Sequence, residues 1–176
     1  KEIVRLLSQG TKGAVLVIGE PGVGKTTLLK SLALQMVVED VPEVLKDKRL
    51  IGFDFNRAFA ASNSIDNFKK ILNEVMQEVS EAKNIVLVMD DFDQLVNIRS
   101  EGASEIINLI TKAIDEFNIR VIATSSKSGY LSSIKPQKSL VSLFDTLELD
   151  EPSGKVAEQI LIDMVPQMER TYGVSV

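Results

Sequence analysis

The stretch Gly19-Glu-Pro-Gly-Val-Gly-Lys-Thr26 has the GxxxxGK[ST] spacing of a phosphate-binding loop. The run Ala14-Val-Leu-Val-Ile18 comes before it and is apolar and β-branched, which is typical of a buried parallel strand. Residues 26–36, after the loop, have the composition of a helix. Strand, glycine-rich turn and helix therefore follow one another in the order that phosphate binding requires.

Each part of this loop has a chemical task in binding a nucleotide. The glycines let backbone N–H groups curl around a phosphate, and the helix N-terminus adds the positive end of its dipole. Lys25 can reach the β- and γ-phosphates, and the Thr26 hydroxyl can coordinate Mg²⁺. We therefore predict that ATP or ADP is bound by the loop and the first helical turn, which are Gly19, Glu20, Pro21, Gly22, Val23, Gly24, Lys25, Thr26 and Thr27.

Polar residues end two further apolar runs. Asp90 follows Ile85-Val-Leu-Val-Met89, and a carboxylate at such a strand end can hold Mg²⁺, usually through water. Thr124 ends the run 119–124, where it would touch the γ-phosphate or the attacking water; an ordinary strand-terminal threonine is the alternative. Ligands of parallel sheets lie at the carboxyl ends of the strands, so we expect Gly19, Asp90 and Thr124 at one edge.

Length and composition limit the classes of protein to which the chain belongs. Its 176 residues, 44% of them hydrophobic, suffice for one α/β domain, and a net charge of −5 argues against a broad nucleic-acid surface. The chain has neither cysteine nor histidine, which excludes disulfides, thiolate or histidine zinc sites, and histidine-based catalytic triads. It shows no membrane-length apolar run and no signal peptide, so we expect a cytoplasmic protein without a membrane partner.

Strand and helix patterns alternate along the chain. Further strands are predicted at 50–55, 85–89, 119–124 and 147–149, helices at 65–82 and 103–117, and a loop at 56–64. A last helix is predicted to start at Pro152. This alternation indicates an α/β fold with a parallel sheet and helices on both faces.

A second stretch carries a family resemblance. Glu39-Asp-Val-Pro-Glu-Val-Leu-Lys46, followed by Arg49-Leu-Ile-Gly-Phe-Asp54, is similar to the GDVPExLK region of the first ATPase module of Clp unfoldases and disaggregases, within the AAA+ class. Glu151-Pro-Ser153 resembles the end of the last Clp strand. The resemblance extends from about Thr11 to Tyr172.

This resemblance implies both an architecture and an activity. The fold would be a P-loop NTPase, the large AAA+ subdomain at 1–151, with a five-stranded sheet of order 5-1-4-3-2. Residues 152–176 would begin a truncated small helical lid. The family forms rings, usually hexamers, that thread proteins through a central pore, and a peptidase partner is possible.

The sequence departs from the Clp pattern at positions that the family uses for hydrolysis and substrate grip. Asp91 replaces the glutamate that polarises the attacking water, and it is shorter by one C–C bond, roughly 1.5 Å. A misplacement of about 1 Å can cost on the order of 10²-fold in rate. Val141-Ser142-Leu143 stand before Phe144, where the family has a pair of arginines that reach the neighbouring nucleotide. Asn63-Ser64 occupy the basic and aromatic pore-loop positions.

These features define three hypotheses. The first is an ATP-binding AAA+ module of a Clp-like protein, with Mg²⁺ on Thr26 and Asp90, a weakened water-positioning Asp91 and Thr124 as a γ-phosphate sensor. The second is a non-enzymatic scaffold subunit of an AAA+ ring, which the missing arginines and pore aromatic favour. The third is a DNA-linked AAA+ loader; its only support is a modest basic loop, and the acidic net charge opposes it. The lysines of that loop are Lys127, Lys135 and Lys138.

Overall fold

One parallel sheet forms the centre of the part of the chain that the computed structural model describes, residues 2–9, 13–97 and 103–151. The order across the sheet is second, third, fourth, first and fifth strand, with all pairs parallel. Read from the other edge, this is the predicted order 5-1-4-3-2, and the prediction is confirmed. The strands are β1 (Ala14–Ile18), β2 (Arg49–Gly52), β3 (Ile85–Met89), β4 (Arg120–Ser125) and β5 (Phe144–Glu148).

Helices connect the strands and cover both faces of the sheet. Within the described ranges, no helix is both long and apolar enough to cross a membrane. A 3-10 turn at Glu43–Leu45 and a π-helical turn at Tyr130–Ile134 complete the connections. The α-helices are α1 (Glu2–Gln9), α2 (Lys25–Val37), α3 (Phe55–Ala61), α4 (Ile65–Ala82), α5 (Phe92–Val96), α6 (Ala103–Asp115), α7 (Lys127–Gly129) and α8 (Lys138–Leu143).

The central strand β1 shows why this sequence folds as two layers of helices around a sheet. All five of its residues are buried, as expected of a strand covered on both faces. Leu16 and Ile18 belong to the core shared with α4, α5 and α6, whereas Val15 and Val17 belong to the core shared with α1 and α2. Because side chains alternate along a strand, this single run contributes to both cores.

The region after β2 differs from the sequence prediction. Residues 50–55 were expected to be one strand and 56–64 a loop, but β2 ends at Gly52 and α3 begins at Phe55. The cause is a helix cap, because Oδ1 of Asp54 accepts the backbone N–H of Arg57 at 2.9 Å. The alternating Phe53 and Phe55 therefore do not mark a longer strand. The helix predicted from Pro152 lies outside the described residues.

The end of α2 is held by a left-handed residue that is not glycine. Glu39 has φ = 58°, and its N–H donates to the carbonyl of Met36 at 3.2 Å. The N–H of Asp40 donates to the carbonyl of Gln35 at 2.9 Å, which completes a Schellman motif. Glycine is the usual residue at this position because a Cβ disfavours positive φ.

We expect Glu39→Gly to raise the free energy of unfolding by about 0.5–1 kcal/mol, because glycine adopts this conformation without steric cost. Chemical denaturation at low protein concentration measures the change. Ser31→Gly, at an exposed position inside α2, is the matched control and should destabilise by about 0.5 kcal/mol. Equal effects of the two substitutions would contradict the strain argument.

Candidate nucleotide-binding site

The ends of β1, β4 and β3 lie side by side at the carboxyl edge of the sheet. The register pairs Ile18 with Ser125 and Met89 with Ala123. The N–H of Gly19 donates to the carbonyl of Ser125 at 3.1 Å, so the phosphate loop starts beside the end of β4. The structure thus brings the loop, Asp90 and Thr124 to one edge.

Glycines shape the phosphate loop in two different ways. Gly22 and Gly24 have φ values of 86° and 107°, and a Cβ at either position would meet nothing within 4 Å, so their backbone faces open space. Gly19 is different, because a Cβ there would lie 2.7 Å from Cγ1 of Val23 and 3.0 Å from the carbonyl oxygen of Leu149. Gly19 therefore permits close packing of the loop on the exit of β5, a role that the motif alone does not reveal.

The first turn of α2 offers donors suited to an anion. Its N-cap is Gly24, which has no side chain that could accept a hydrogen bond from the first N–H groups of the helix. Nζ of Lys25 lies back over the loop, donating to the carbonyls of Gly19 at 2.7 Å and Glu20 at 3.2 Å. Thr26 and Thr27 are exposed. The loop thus places the Lys25 cation beside the backbone N–H groups of a helix N-terminus.

Thr124 joins the ends of β3 and β4. Its hydroxyl donates to Oδ1 of Asp90 and accepts the backbone N–H of Asp91 at 3.0 Å. Thr124 is completely buried, whereas Asp90 is exposed. The bridge therefore orients the Asp90 carboxylate and also fixes the backbone of the next residue.

Asp91 is held in an unusual conformation next to the loop lysine. Its φ of 51° and ψ of 44° are left-handed, and it caps α5 without a side-chain hydrogen bond. Partial burial, and then the negative charges of Asp90 and Asp93, raise the pKa of Asp91 above its ordinary value, while Lys25 acts in the opposite direction. The carboxylates after β3 and the cation of the phosphate loop are therefore within electrostatic reach of one another.

A second contact ties α5 to the segment after β4, and no sequence pattern points to it. Ser126 Oγ donates to Oδ2 of Asp93 at 3.4 Å and accepts the N–H of Gly129 at 2.9 Å. A Cβ at Gly129 would lie 2.7 Å from the Cβ of Asp93, and closer still to its carboxylate. Only glycine fits there, so Gly129 lets α7 pack directly on the helix that Asp91 begins.

One lysine of the predicted basic loop is paired with an acidic residue. Lys127 pairs with Asp150 at 2.8 Å, and this hydrogen bond, together with the charges of Asp150, Glu148 and Glu20, raises the pKa of Lys127. Acidic groups therefore balance one of the three lysines that supported the DNA-loader hypothesis.

The positions where the Clp pattern has arginines and an aromatic pore residue carry small polar side chains here. Ser142 is exposed on α8, just before β5. Ser64 is the N-cap of α4, and its hydroxyl accepts the N–H of Asn67 at 3.2 Å. The nearby Phe59 packs edge-on against the buried Phe68, with ring centroids 5.3 Å apart. Neither serine can supply a cation or an aromatic ring.

The donor set at this edge fits a magnesium–nucleotide unit. Mg²⁺ prefers hard oxygen ligands and keeps several waters, and the Thr26 hydroxyl and the exposed Asp90 carboxylate are ligands of that kind. A cleft of about 470 Å³ opens beside Asp90 and Asp91, between the exits of β2 and β3, and Asp54 and Asn56 also line it. There is room for solvent and ligand next to the carboxylates.

The comparison with protein families agrees with this geometry. The family described as "ATPase family associated with various cellular activities (AAA)" matches residues 15–149. The chain belongs to this family of P-loop ATPases, and membership implies nucleotide binding.

Individual relatives identify the branch of the family. The ATP-dependent Clp protease ATP-binding subunit ClpC of Staphylococcus aureus (strain USA300) is 34% identical over 175 residues, 99% of this chain and 21% of that protein. The negative regulator of genetic competence ClpC/MecB of Bacillus subtilis (strain 168) is 30% identical over 177 residues, 100% of this chain and 22% of that protein. The chain thus spans about a fifth of the length of these relatives.

Solved structures give the same result. The S. cerevisiae Hsp104–ADP complex matches with a TM-score of 0.87 and 27% identity, over 99% of this chain and 30% of that one. The S. cerevisiae Hsp104–casein complex in its extended conformation matches with a TM-score of 0.85 and 26% identity, with the same coverage. The predicted resemblance to a Clp-type AAA+ first module is confirmed.

We expect Thr124→Val to lower the free energy of unfolding by about 1–3 kcal/mol, because the backbone N–H of Asp91 loses its acceptor. Urea denaturation measures the loss. Thr124→Ser keeps the hydroxyl and should recover most of the stability. A Val variant as stable as the Ser variant would show that the bridge contributes little.

Proposed function

We propose that the chain is the ATP-binding module of a Clp-like protein unfoldase or disaggregase, which binds Mg–ATP at residues 19–27 and hydrolyses it weakly. One observation carries the proposal: the phosphate loop and the Asp90 carboxylate share an edge of the sheet, with the Thr124 hydroxyl on that carboxylate. The intact loop motif and the membership of the AAA family support it.

Each residue then has a task. Lys25 exchanges the loop carbonyls for phosphate oxygens, and the first N–H groups of α2 hold the same phosphates. Thr26 and Asp90 hold Mg²⁺, which, when bound, neutralises charge on the phosphates. Asp91 positions the attacking water, and Thr124 orients Asp90 and the backbone of Asp91. Gly22 and Gly24 allow the left-handed turns of the loop, and Gly19 allows its close packing on Leu149. The other loop residues complete the phosphate-binding loop.

We expect weak hydrolysis because the side chain of Asp91 is short and because α8 has a serine where Clp modules have an arginine. The Asp91 carboxylate is one C–C bond shorter than a glutamate, roughly 1.5 Å, at the point where water must be held. Ser142, exposed where Clp modules have an arginine, cannot stabilise charge on a neighbour's nucleotide. Arginine fingers are worth about 10³–10⁵ in rate in related enzymes.

Assembly and substrates form a further part of the proposal. The solved relatives are Hsp104 with ADP and Hsp104 with casein, and the ClpC of Staphylococcus aureus is named as an ATP-binding subunit of an ATP-dependent Clp protease. We infer that this module works in a ring, a hexamer by resemblance, that acts on protein substrates, with a peptidase as a possible partner of that ring. Residues 152–176 would begin the helical lid of the same module.

We expect the wild-type chain to bind Mg–ATP with a Kd in the micromolar range or weaker, and Lys25→Ala to weaken it by roughly 10- to 100-fold, because a charged hydrogen-bond donor to phosphate is lost. Thermal-shift titration with Mg–ATP checks this. Lys30→Ala removes an exposed lysine of the same helix and should leave the shift unchanged. If the wild-type chain shows no shift, the proposal fails.

The scaffold alternative is favoured by the exposed Ser142 and by the short side chain of Asp91. Phosphate release by the Asp91→Glu variant distinguishes a weak ATPase from a non-enzymatic scaffold. The longer side chain of glutamate would bring the carboxylate to the attacking water. We expect turnover to rise by about 10-fold or more, within the effect of a misplacement of about 1 Å. Asp115→Glu, at an exposed position at the end of α6, is the control. If Asp91→Glu binds Mg–ATP but releases no phosphate, the scaffold function is supported instead.

A further inference from the structure

A pocket of about 280 Å³ opens at the amino edge of the sheet, and we name it the amino-edge pocket. It lies between the end of α4, the start of β3 and the segment that leads from α6 into β4. The strands β3 and β4 have five and six residues, and each residue adds about 3.3 Å, so the pocket is roughly 15–20 Å from the nucleotide edge. Its polar lining residues are Ser80, Lys83, Asn118 and Arg120, and Phe117 also lines it.

Positive charge converges on this pocket from three strands. Lys48 precedes β2, Lys83 precedes β3 and Arg120 begins β4, and these three strands are neighbours in the sheet. Nζ of Lys48 donates to the carbonyl of Lys83 at 2.9 Å, which places it beside the pocket. The strand order therefore brings three cations to one edge, although they lie far apart in the sequence.

Carboxylates do not balance these charges. Within residues 2–9, 13–97 and 103–151, no acidic group lies within 4 Å of a side-chain nitrogen of Lys48, Lys83 or Arg120. Partial burial, and then the positive charge of Arg120, lower the pKa of Lys48 below its ordinary value. Both side chains are half-buried, so water and salt screen their repulsion less than at an open surface.

Arg120 is oriented by its inner nitrogen and keeps its outer nitrogens for another partner. Its Nε makes a long hydrogen bond of 3.5 Å to the carbonyl of Leu7 at the end of α1. The two terminal nitrogens have no hydrogen-bond partner among the described residues. A guanidinium with this end free can bind two oxygens of a phosphate at once.

We propose that the amino-edge pocket binds a phosphate dianion through Arg120 and Lys83, with Lys48 behind them. A phosphate group carries close to two negative charges at neutral pH, so it offsets the repulsion among three cations better than a single carboxylate does. The volume of about 280 Å³ is near the lower end of the range for ligand sites, which suits a small ligand.

Phe117 favours a phosphate that is attached to an aromatic group. Its side chain is 44% exposed although it lines the pocket, so part of the ring is accessible beside the cations. A second ring can pack against an accessible aromatic ring edge-on or in an offset stack. A phosphomonoester would thus use both the cations and the ring, whereas free phosphate would use the cations alone.

This site is independent of the proposed function, because it lies at the opposite edge of the sheet from the phosphate loop. The phosphate loop also binds phosphate groups, so a test has to resolve the two sites by position. The Lys25→Ala variant alters only the nucleotide site. A failure of nucleotide binding and a failure of the amino-edge pocket can therefore be told apart.

Two-dimensional amide NMR of the whole chain, titrated with inorganic phosphate at constant ionic strength, makes this distinction. We expect saturable shifts of the backbone amides of Lys83, Asn118 and Arg120 with a Kd of about 1 mM, equally in the wild-type chain and in Lys25→Ala. Chloride at the same ionic strength is the control and should not reproduce them. Shifts confined to residues 19–27, or equal shifts with chloride, overturn the inference.

Charge-removing variants test the residues that would hold the phosphate. Arg120→Gln and Lys83→Gln should each weaken phosphate binding by about 10-fold, because each removes a charged donor. Lys70→Gln removes an exposed lysine of α4 and should have no effect. Lys83 is exposed, so its variant remains informative if Arg120→Gln does not fold. If Lys83→Gln binds phosphate as tightly as the wild-type chain, the site is not the one proposed.

Phenyl phosphate distinguishes a phosphomonoester from free phosphate as the ligand. We expect it to bind about 2- to 10-fold more tightly than inorganic phosphate, because its ring would pack against Phe117. Phe117→Ala should remove this difference and leave the affinity for inorganic phosphate unchanged. Equal affinities of the wild-type chain for the two compounds would assign the pocket to free phosphate and overturn the role of the ring.

Discussion

The hydroxyl of Thr124 is the contact on which the candidate site depends, because it joins two neighbouring strand ends. It donates to the Asp90 carboxylate and accepts the N–H of Asp91, so one buried side chain sets both the ligand and the backbone that follows it. This contact requires β4 to lie next to β3, and β1 lies on the other side of β4. The strand order therefore places the Asp90 carboxylate and the loop at Gly19 at the same edge of the sheet.

Left-handed backbone conformations occur in the phosphate loop, directly after β3 and at the end of α2. Gly22 and Gly24 take such conformations in the phosphate loop, where open space surrounds them. Asp91 and Glu39 take them with full side chains, one at the site and one at the end of α2. At Asp91 the Thr124 hydroxyl stabilises the strained backbone, and at Glu39 a Schellman motif does so.

The two ends of α2 lie in different surroundings. Its first turn, with Lys25, faces the carboxyl edge, where a nucleotide would bind. Its last turn, with Val37 and Val38, presents an apolar surface beside an edge strand. Because a helix is a rigid element, a contact at one end can be altered without rebuilding the other.

Local patterns of residues predict the phosphate loop and the buried strand β1, and the resemblance carried by residues 39–46 predicts the strand order. These features can be predicted without knowing which residues are in contact in the fold, because each depends on a short stretch of sequence or on a match to a known family. The boundary at Asp54, where a predicted strand gives way to α3, was decided by a cap that competes with strand propensity. The packing of Gly19 on Leu149 and of Gly129 on Asp93 is visible only in the folded chain, because each contact joins segments far apart in the sequence. Packing and exposure depend on which distant atoms meet in the fold, and no local pattern of residues encodes those contacts.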